Sequence, residues 1–372
     1  MKKTAWFALL VLAATLSGCG AKPPVEAPTA TTETAAETTT ETATQATQTP
    51  RDPEGDLFLK VSSITFSLTG EQEDVYLGTV PREEVSWTSD DPGIIDVSEG
   101  VLTALGVGTT TVHATWGDRQ VHCTAGCLAQ SQEELESLDP EILASPKRLP
   151  PEIDMEGPCD YFDDAAIMGD SITYFLWQYE NTHHELGSMT FVSRHGISIH
   201  SLVNRSKNMY FEGQEMNIED IVDRLDVSRI YILLGCLDFQ VPASTQTLRE
   251  HWEQLLDLIS QKSPEKELVL ISNIPSYTDK QEWNPFNRNV AEFTPQLRLL
   301  AAERGCGFLD LGYYIQDHYG RMPKCYQKDE FHMNDAGSHV WSQLLRYYAQ
   351  FEREGGTLAV LPEETERKID RN

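Results

Sequence analysis

Ser171 lies in Gly169-Asp170-Ser171-Ile172, directly after the apolar run Ala165 to Met168, and His332 lies far downstream in Asp329-Glu330-Phe331-His332. A serine hydroxyl is a weak nucleophile until an imidazole within hydrogen-bond reach takes its proton. The imidazole in turn works best when a carboxylate fixes its tautomer. Ser171, His332 and Asp329 supply one residue of each type, with Glu330 as the alternative carboxylate. Gly-Asp-Ser alone also makes ordinary turns and helix caps, so its meaning depends on these distant partners. If a helix opens at Ser171, its free amides and dipole favour the negative charge that develops near an attacking serine.

In chain order the set reads Gly169-Asp170-Ser171, Gly196, Gly235-Cys236-Leu237-Asp238, then Asp329 and His332. On these residues the segment from about Cys159 to Phe351 resembles the SGNH or GDSL hydrolases, whose blocks carry serine, glycine, asparagine and histidine in that sequence. The resemblance implies cofactor-free, metal-free ester chemistry with Ser171 as nucleophile, His332 as base and Asp329, through Asp-x-x-His spacing, as orienter. It makes the amides of Ser171 and Gly196 the oxyanion donors, and Gly235, Leu237 and Asp238 candidate lining residues. The family's third block usually reads Gly-x-Asn-Asp, and here Leu237 stands where the asparagine would. Loss of one such donor typically costs about 10² to 10³ in rate. Asn204, Asn208 and Asn273 are candidates to replace it, and Asp238 reads as a strand-end cap rather than a catalyst.

These residues need a scaffold that brings strand ends together. Strands are expected at Ala165 to Gly169, Thr190 to Ser193, Arg229 to Gly235, Leu268 to Asn273 and Gly307 to Leu311. Helices are expected at Leu248 to Ser260, Val290 to Arg304 and Ala336 to Phe351. Continuous apolar strands such as Ile230 to Leu234 suit a parallel sheet covered on both faces, which gives a three-layer α/β/α, flavodoxin-like domain over 159–355. In such sheets ligands bind beyond the carboxyl ends of the strands, where Ser171, Gly196, Gly235 and Asp238 all fall.

Before this domain, 56–127 carries short β-rich runs separated by turn signals such as Asp91-Pro92-Gly93 and Gly117-Asp118. The stretch Val85 to Pro92, with Gly100 to Leu105 and Gly108 to Val112, resembles bacterial immunoglobulin-like (Ig-like) domains. The expectation is a small all-β Ig-like sandwich with Trp87 in its core, serving as a spacer. Residues 128–158, acidic and proline-bearing, read as a linker, and 356–372 as a polar tail.

Met1 to Cys19 begins with Lys2 and Lys3, continues apolar through Leu16 and ends in Leu16-Ser17-Gly18-Cys19. The apolar core is shorter than the roughly 20 residues a spanning helix needs, so 1–18 reads as an export signal. Leu-Ser-Gly-Cys resembles the lipobox of bacterial lipoproteins, which implies a lipidated Cys19 and anchoring at the cell surface. Residues 19–55, mainly Thr, Ala, Glu and Pro, lack the apolar content for a core and read as a disordered tether. A formal net charge of −29 makes nucleic acid and anionic lipid poor partners for the bulk surface. Export would place Cys123, Cys127, Cys159, Cys236, Cys306 and Cys325 where disulfides form, and spacing does not choose a pairing.

Tyr174, Trp177 and Tyr179 follow the serine at spacings that suit either a sugar-binding cleft or a core. No histidine pair has metal-ligand spacing. The reading is a lipid-anchored serine esterase acting on O-acetyl groups of a carbohydrate or cell-wall polymer. The alternatives are a surface binding or assembly protein on an impaired hydrolase fold, argued by Leu237, and an acyltransferase acting on a wall polymer.

Overall fold

The computed structural model describes residues 56–153, 159–240, 244–277 and 285–359. The expected signal, lipidation site Cys19 and tether lie outside the described residues, as do positions 360–372 of the expected tail.

The N-terminal part is built from β1 (Ser63–Leu68), β2 (Gln72–Asp74), β3 (Ser86–Ser89), β4 (Ile95–Ser98), β5 (Val101–Ala104), β6 (Gly108–Trp116) and β7 (Arg119–Ala129). Next come two short helices, α1 (Gln132–Glu136) and α2 (Pro140–Leu143), and the short strand β8 (Arg148–Leu149). Two sheets form, in the orders β3-β6-β7-β1-β8 and β2-β5-β4. Alternation along β1 and β6 buries Ile64, Phe66, Val112 and Ala114 on one face, where they share a core with Ile95, Leu102 and Ala104 of the smaller sheet. Trp87 is only half-buried and packs against that core. The described part of the stretch expected as a linker, 128–153, is structured: Ser131 and Asp139 cap its two helices, and β8 pairs antiparallel with β1.

The second part runs β9 (Ala165–Gly169), α3 (Ser171–His183), β10 (Thr190–Ser193), α4 (Ile199–Val203), a hairpin of β11 (Met209–Phe211) and β12 (Gln214–Met216), α5 (Ile218–Arg224) and β13 (Arg229–Leu233). It continues with α6 (Thr245–Lys262), β14 (Glu267–Ile271), α7 (Pro285–Arg304), β15 (Gly307–Leu309), α8 (Leu311–Tyr314) and α9 (Asp335–Arg353). The sheet is parallel throughout, in the order β10-β9-β13-β14-β15. Every residue of β9 is buried, as expected for a strand covered on both faces. Strand order reverses between β9 and β13, so the crevice beyond their carboxyl ends is the ligand position of this topology. Leu358 and Ala359, expected in a polar tail, instead follow the edge strand: Leu358 is buried and accepts a hydrogen bond from the Phe308 amide.

The two parts are in direct contact. The buried Tyr347 hydroxyl of α9 donates to the Leu59 carbonyl at 2.7 Å and accepts from the Leu59 amide at 3.0 Å. Phe58 meets the rings of Tyr347 and Phe351 edge-on, with centroids 5.6 and 5.4 Å away.

Candidate active site

The turn from β9 into α3 is set by two residues. A Cβ at Gly169 would sit 2.0 Å from the Thr173 hydroxyl and 2.5 Å from the Leu233 carbonyl, so only glycine lets the strand end this close to its neighbour. Asp170 is the N-cap: its Oδ1 accepts from the Ile172 amide at 2.9 Å, and its Oδ2 from the Cys236 amide at 3.2 Å. One carboxylate thus ties the start of α3 to the turn after β13. Burial pushes its pKa up, against the pull of those amides, to about 6. The apolar stripe Ile172, Leu176 and Tyr179 seats α3 on the core and leaves Ser171 half-buried at its first position.

His332 reaches this point from the opposite end of the domain. Its Nε2 lies 2.8 Å from Ser171 Oγ, and its Nδ1 lies 2.9 Å from both carboxylate oxygens of Asp329. Asp329 Oδ1 also accepts from the amides of Phe331 and His332 at 3.0 Å each, closing a local turn that fixes the histidine's backbone. Partial burial raises the Asp329 carboxyl, but the His332 ring and those two amides outweigh it and hold it below the usual range. Asn334 caps α9 through the Gly337 amide at 3.1 Å and donates back to the carbonyls of Cys325 and Gln327. The side chains of His332 and Asp329 are 21% and 52% exposed, so base and orienter open to solvent.

Gly196 adopts φ +67°, with open space where a Cβ would project. Neither its amide nor that of Ser171 makes a hydrogen bond among the described residues. Both are therefore open to an oxyanion. Asp238 accepts from the amides of Ile199 and His200 at 2.9 and 3.2 Å, so it anchors the start of α4 just beyond the Gly196 loop. The residue expected to cap a strand end thus ties the turn after β13 to the start of α4. Gly235, at φ +121°, approaches Asn273, whose Nδ2 donates to the Leu234 carbonyl at 2.7 Å. Asn273 is thus committed beneath the turn, and Asn204 is committed to its own helix through the His200 carbonyl. Leu237 is half-buried on the same turn.

Of the three aromatic residues after the serine, Tyr179 belongs to the interior, bonded to His339 and Glu185. Tyr174 and Trp177 form a surface cluster, with ring centres 5.3 Å apart, and His195 lies 4.3 Å from Tyr174. Phe175, one turn after Ser171, packs 4.7 Å from the His332 ring and was not singled out from sequence. Its i+4 spacing from the nucleophile was the available signal. The six cysteines among the described residues are unpaired thiols. Burial raises the Cys236 thiol far from a reactive thiolate. Among the described residues no group of three His, Cys, Asp or Glu is arranged to hold a metal ion.

Residues 167–340 match the model of the GDSL-like Lipase/Acylhydrolase family. No curated protein matches the chain. Among solved structures, a GDSL-like lipase from Bacteroides thetaiotaomicron aligns with 12% identity and a TM-score of 0.40, over 53% of this chain and 92% of its own. A carbohydrate esterase family 3 protein from Talaromyces cellulolyticus aligns with 11% identity and a TM-score of 0.36, over 51% and 98%. The C-terminal catalytic domain of a Streptococcus pneumoniae peptidoglycan O-acetyltransferase aligns with 12% identity and a TM-score of 0.36, over 51% and 94%.

Proposed function

We propose that the chain is a serine esterase that removes short acyl groups, in the first place O-acetyl, from a carbohydrate or cell-wall polymer. The observation that carries this reading is the unbroken chain of contacts from Ser171 Oγ through His332 to Asp329, at 2.8 and 2.9 Å. Ser171 attacks the ester carbonyl as His332 Nε2 takes its proton, and the two open amides of Ser171 and Gly196 receive the oxyanion. His332 then returns the proton to the leaving alcohol. Water, activated by the same imidazole, releases the acyl group from Ser171. Asp329 keeps Nδ1 protonated throughout and stabilises the imidazolium.

Leu237 favours the rival reading, a binding protein on an impaired fold, whereas a binding role gives no reason for an aligned Ser171, His332 and Asp329. Transfer of the acyl group to a polymer hydroxyl would use the same residues and differs in the acceptor. Turnover of 4-nitrophenyl acetate by the purified protein, abolished in Ser171→Ala at unchanged melting temperature, is the expected result. Equal turnover by the two forms excludes the serine mechanism.

In the same reading the chain is exported and held at a membrane surface by lipid on Cys19, with 19–55 as tether and 56–127 as an Ig-like spacer. The lipobox-like Leu16-Ser17-Gly18-Cys19 supports the anchor, and multiple acyl chains suffice for stable attachment. Cys19→Ala should move the protein from the membrane to the soluble fraction. Retention after a high-salt wash would place the anchor elsewhere.

A further inference from the structure

We propose that the mouth of this site binds an anionic group of the substrate, so that the ester is carried by a carboxylate- or phosphate-bearing polyol. The proposal rests on the esterase reading above and narrows its substrate. It starts from a contrast of charge. A chain with a formal net charge of −29 repels anions over most of its surface, yet 186–211, the segment that carries Gly196, holds Arg194, Arg205 and Lys207 and no Asp or Glu.

Two of those cations are neutralised, Arg194 by Glu215 and Arg205 by Glu219. Lys207 is not. Its Nζ donates to the Gly196 carbonyl at 3.0 Å, which leaves two of its three N–H donors beside the Gly196 loop, and it meets no carboxylate among the described residues. Lys328 stands immediately before Asp329, on the His332 loop. Its Nζ sits 4.1 Å from the centre of the Phe175 ring, the ring that packs on His332, and it too meets no carboxylate among the described residues. Lys147, Lys262, Lys266 and Lys324, by contrast, each lie within 4 Å of one. Two ammonium groups that meet no carboxylate among the described residues therefore sit at the site's edge, one on the Gly196 loop and one on the Phe175 ring that packs against His332.

The nearby carboxylates do not cancel them. Asp329 is engaged by His332 and two amides, and Asp170 is buried under the start of α3. Glu330 is exposed on the same loop as Lys328 and opposes it. Against these carboxylates, the ammonium groups are the positive charges an anionic substrate group would meet at the Gly196 and Phe175 edges of the site. Because the ammonium groups lie beside the reacting centre and not on it, they bind ground state and transition state alike, and the benefit falls in KM.

The test uses three acetyl esters matched in their reacting group: a mono-O-acetylated methyl glucoside, the corresponding glucuronoside and the corresponding glucoside phosphate. The wild-type protein should prefer an anionic ester over the neutral one by about ten-fold in kcat/KM, mainly through KM. High salt should shrink that ratio towards one, since exposed charges are screened beyond about 10 Å. Lys207→Gln with Lys328→Gln should abolish the preference, Lys328→Arg should keep it, and Glu330→Gln should enlarge it. The stronger of the two anionic arms identifies carboxylate or phosphate. A wild-type ratio at or below one, with the neutral ester turned over, overturns the anion site and leaves the esterase standing. So does a preference that survives the double variant. The wild-type ratio and its salt dependence decide the matter even if a variant fails to fold. Turnover of none of the three esters removes the esterase reading, and the anion site with it.

Discussion

Asp329→Asn and Asp329→Ala should separate activity from stability in opposite orders. Asp329 Oδ1 accepts two backbone amides as well as approaching His332 Nδ1, so an asparagine must keep its carbonyl oxygen on those amides. Its NH₂ then takes the place of Oδ2, 2.9 Å from Nδ1. Donor facing donor is unfavourable, so Nδ1 becomes an acceptor, the ring proton moves to Nε2, and His332 can no longer take the Ser171 proton. Alanine imposes no tautomer and removes only the charge. At about 4 Å a charge pair is worth about 1 kcal/mol in water and about 4 kcal/mol at an effective dielectric of 20. Asp329 is half exposed, which places Asp329→Ala between those limits, a loss of roughly 10- to 10³-fold in kcat. Asp329→Asn should approach the roughly 10⁴-fold loss expected when the tautomer is wrong. Stability runs the other way, because asparagine retains two amide contacts that alanine loses, each worth about 1 kcal/mol. The assay is steady-state hydrolysis of 4-nitrophenyl acetate alongside thermal melting. An asparagine variant more active than the alanine variant, or either at the wild-type rate, refutes the role given to Asp329.

Asp170 has its pKa raised by burial to about 6, from an ordinary value of 3.8. The folded state therefore holds the proton more tightly than the unfolded one. Its contribution is fully present below about pH 4 and is lost as pH rises through about 6, by at most about 3 kcal/mol. Stability from chemical denaturation across pH 4 to 8 should show that fall, and Asp170→Asn should lack it while starting lower, because its amide faces the Cys236 N–H; an equal slope in both forms contradicts the assignment. Leu237→Asn should raise kcat on a simple acetyl ester several-fold or more, since a preorganised donor acts chiefly in the transition state. No gain in a variant that melts normally means that the two amides already suffice or that water is not the natural acceptor.

The sequence was most readable where a single physical rule dominates. The continuous apolar runs Ala165 to Gly169 and Ile230 to Leu233 lie in the two strands at which the sheet reverses, and burial on both faces leaves such runs little alternative. The spacing of Asp329 and His332 was legible through the resemblance to an Asp-x-x-His block, and in the structure Asp329 Oδ1 closes a local turn on the Phe331 and His332 amides. What was not legible depended on the tertiary fold. Asp170 looks like a helix cap, and its second bond, to the Cys236 amide across 66 positions, has no local signature. Leu57 to Val61 has strand-like composition, yet forms no strand beyond a bridge from Leu59 to Tyr76, because the Leu59 amide and carbonyl go to Tyr347. Asn273 looked free to reach the oxyanion and is instead committed under Gly235.

That last use of Leu59 changes what the N-terminal part does for the site. A spacer needs only to hold a domain away from a surface, and few contacts should then cross the join. Here Phe58 fills a ring cluster with Tyr347 and Phe351, and Leu59 gives both its backbone groups to the Tyr347 hydroxyl. Tyr347 and Phe351 lie on α9, whose N-cap Asn334 follows His332 by two positions and holds the carbonyls at the base of its loop. Removing residues 56–61 would expose two aromatic rings and lose both hydrogen bonds of the Tyr347 hydroxyl, each worth about 1 kcal/mol. On the proposed reading the N-terminal part therefore does more than space the domain: it buttresses α9, the helix that begins three residues after His332, and its removal should loosen His332 before it loosens Ser171, which is held from beneath by Asp170.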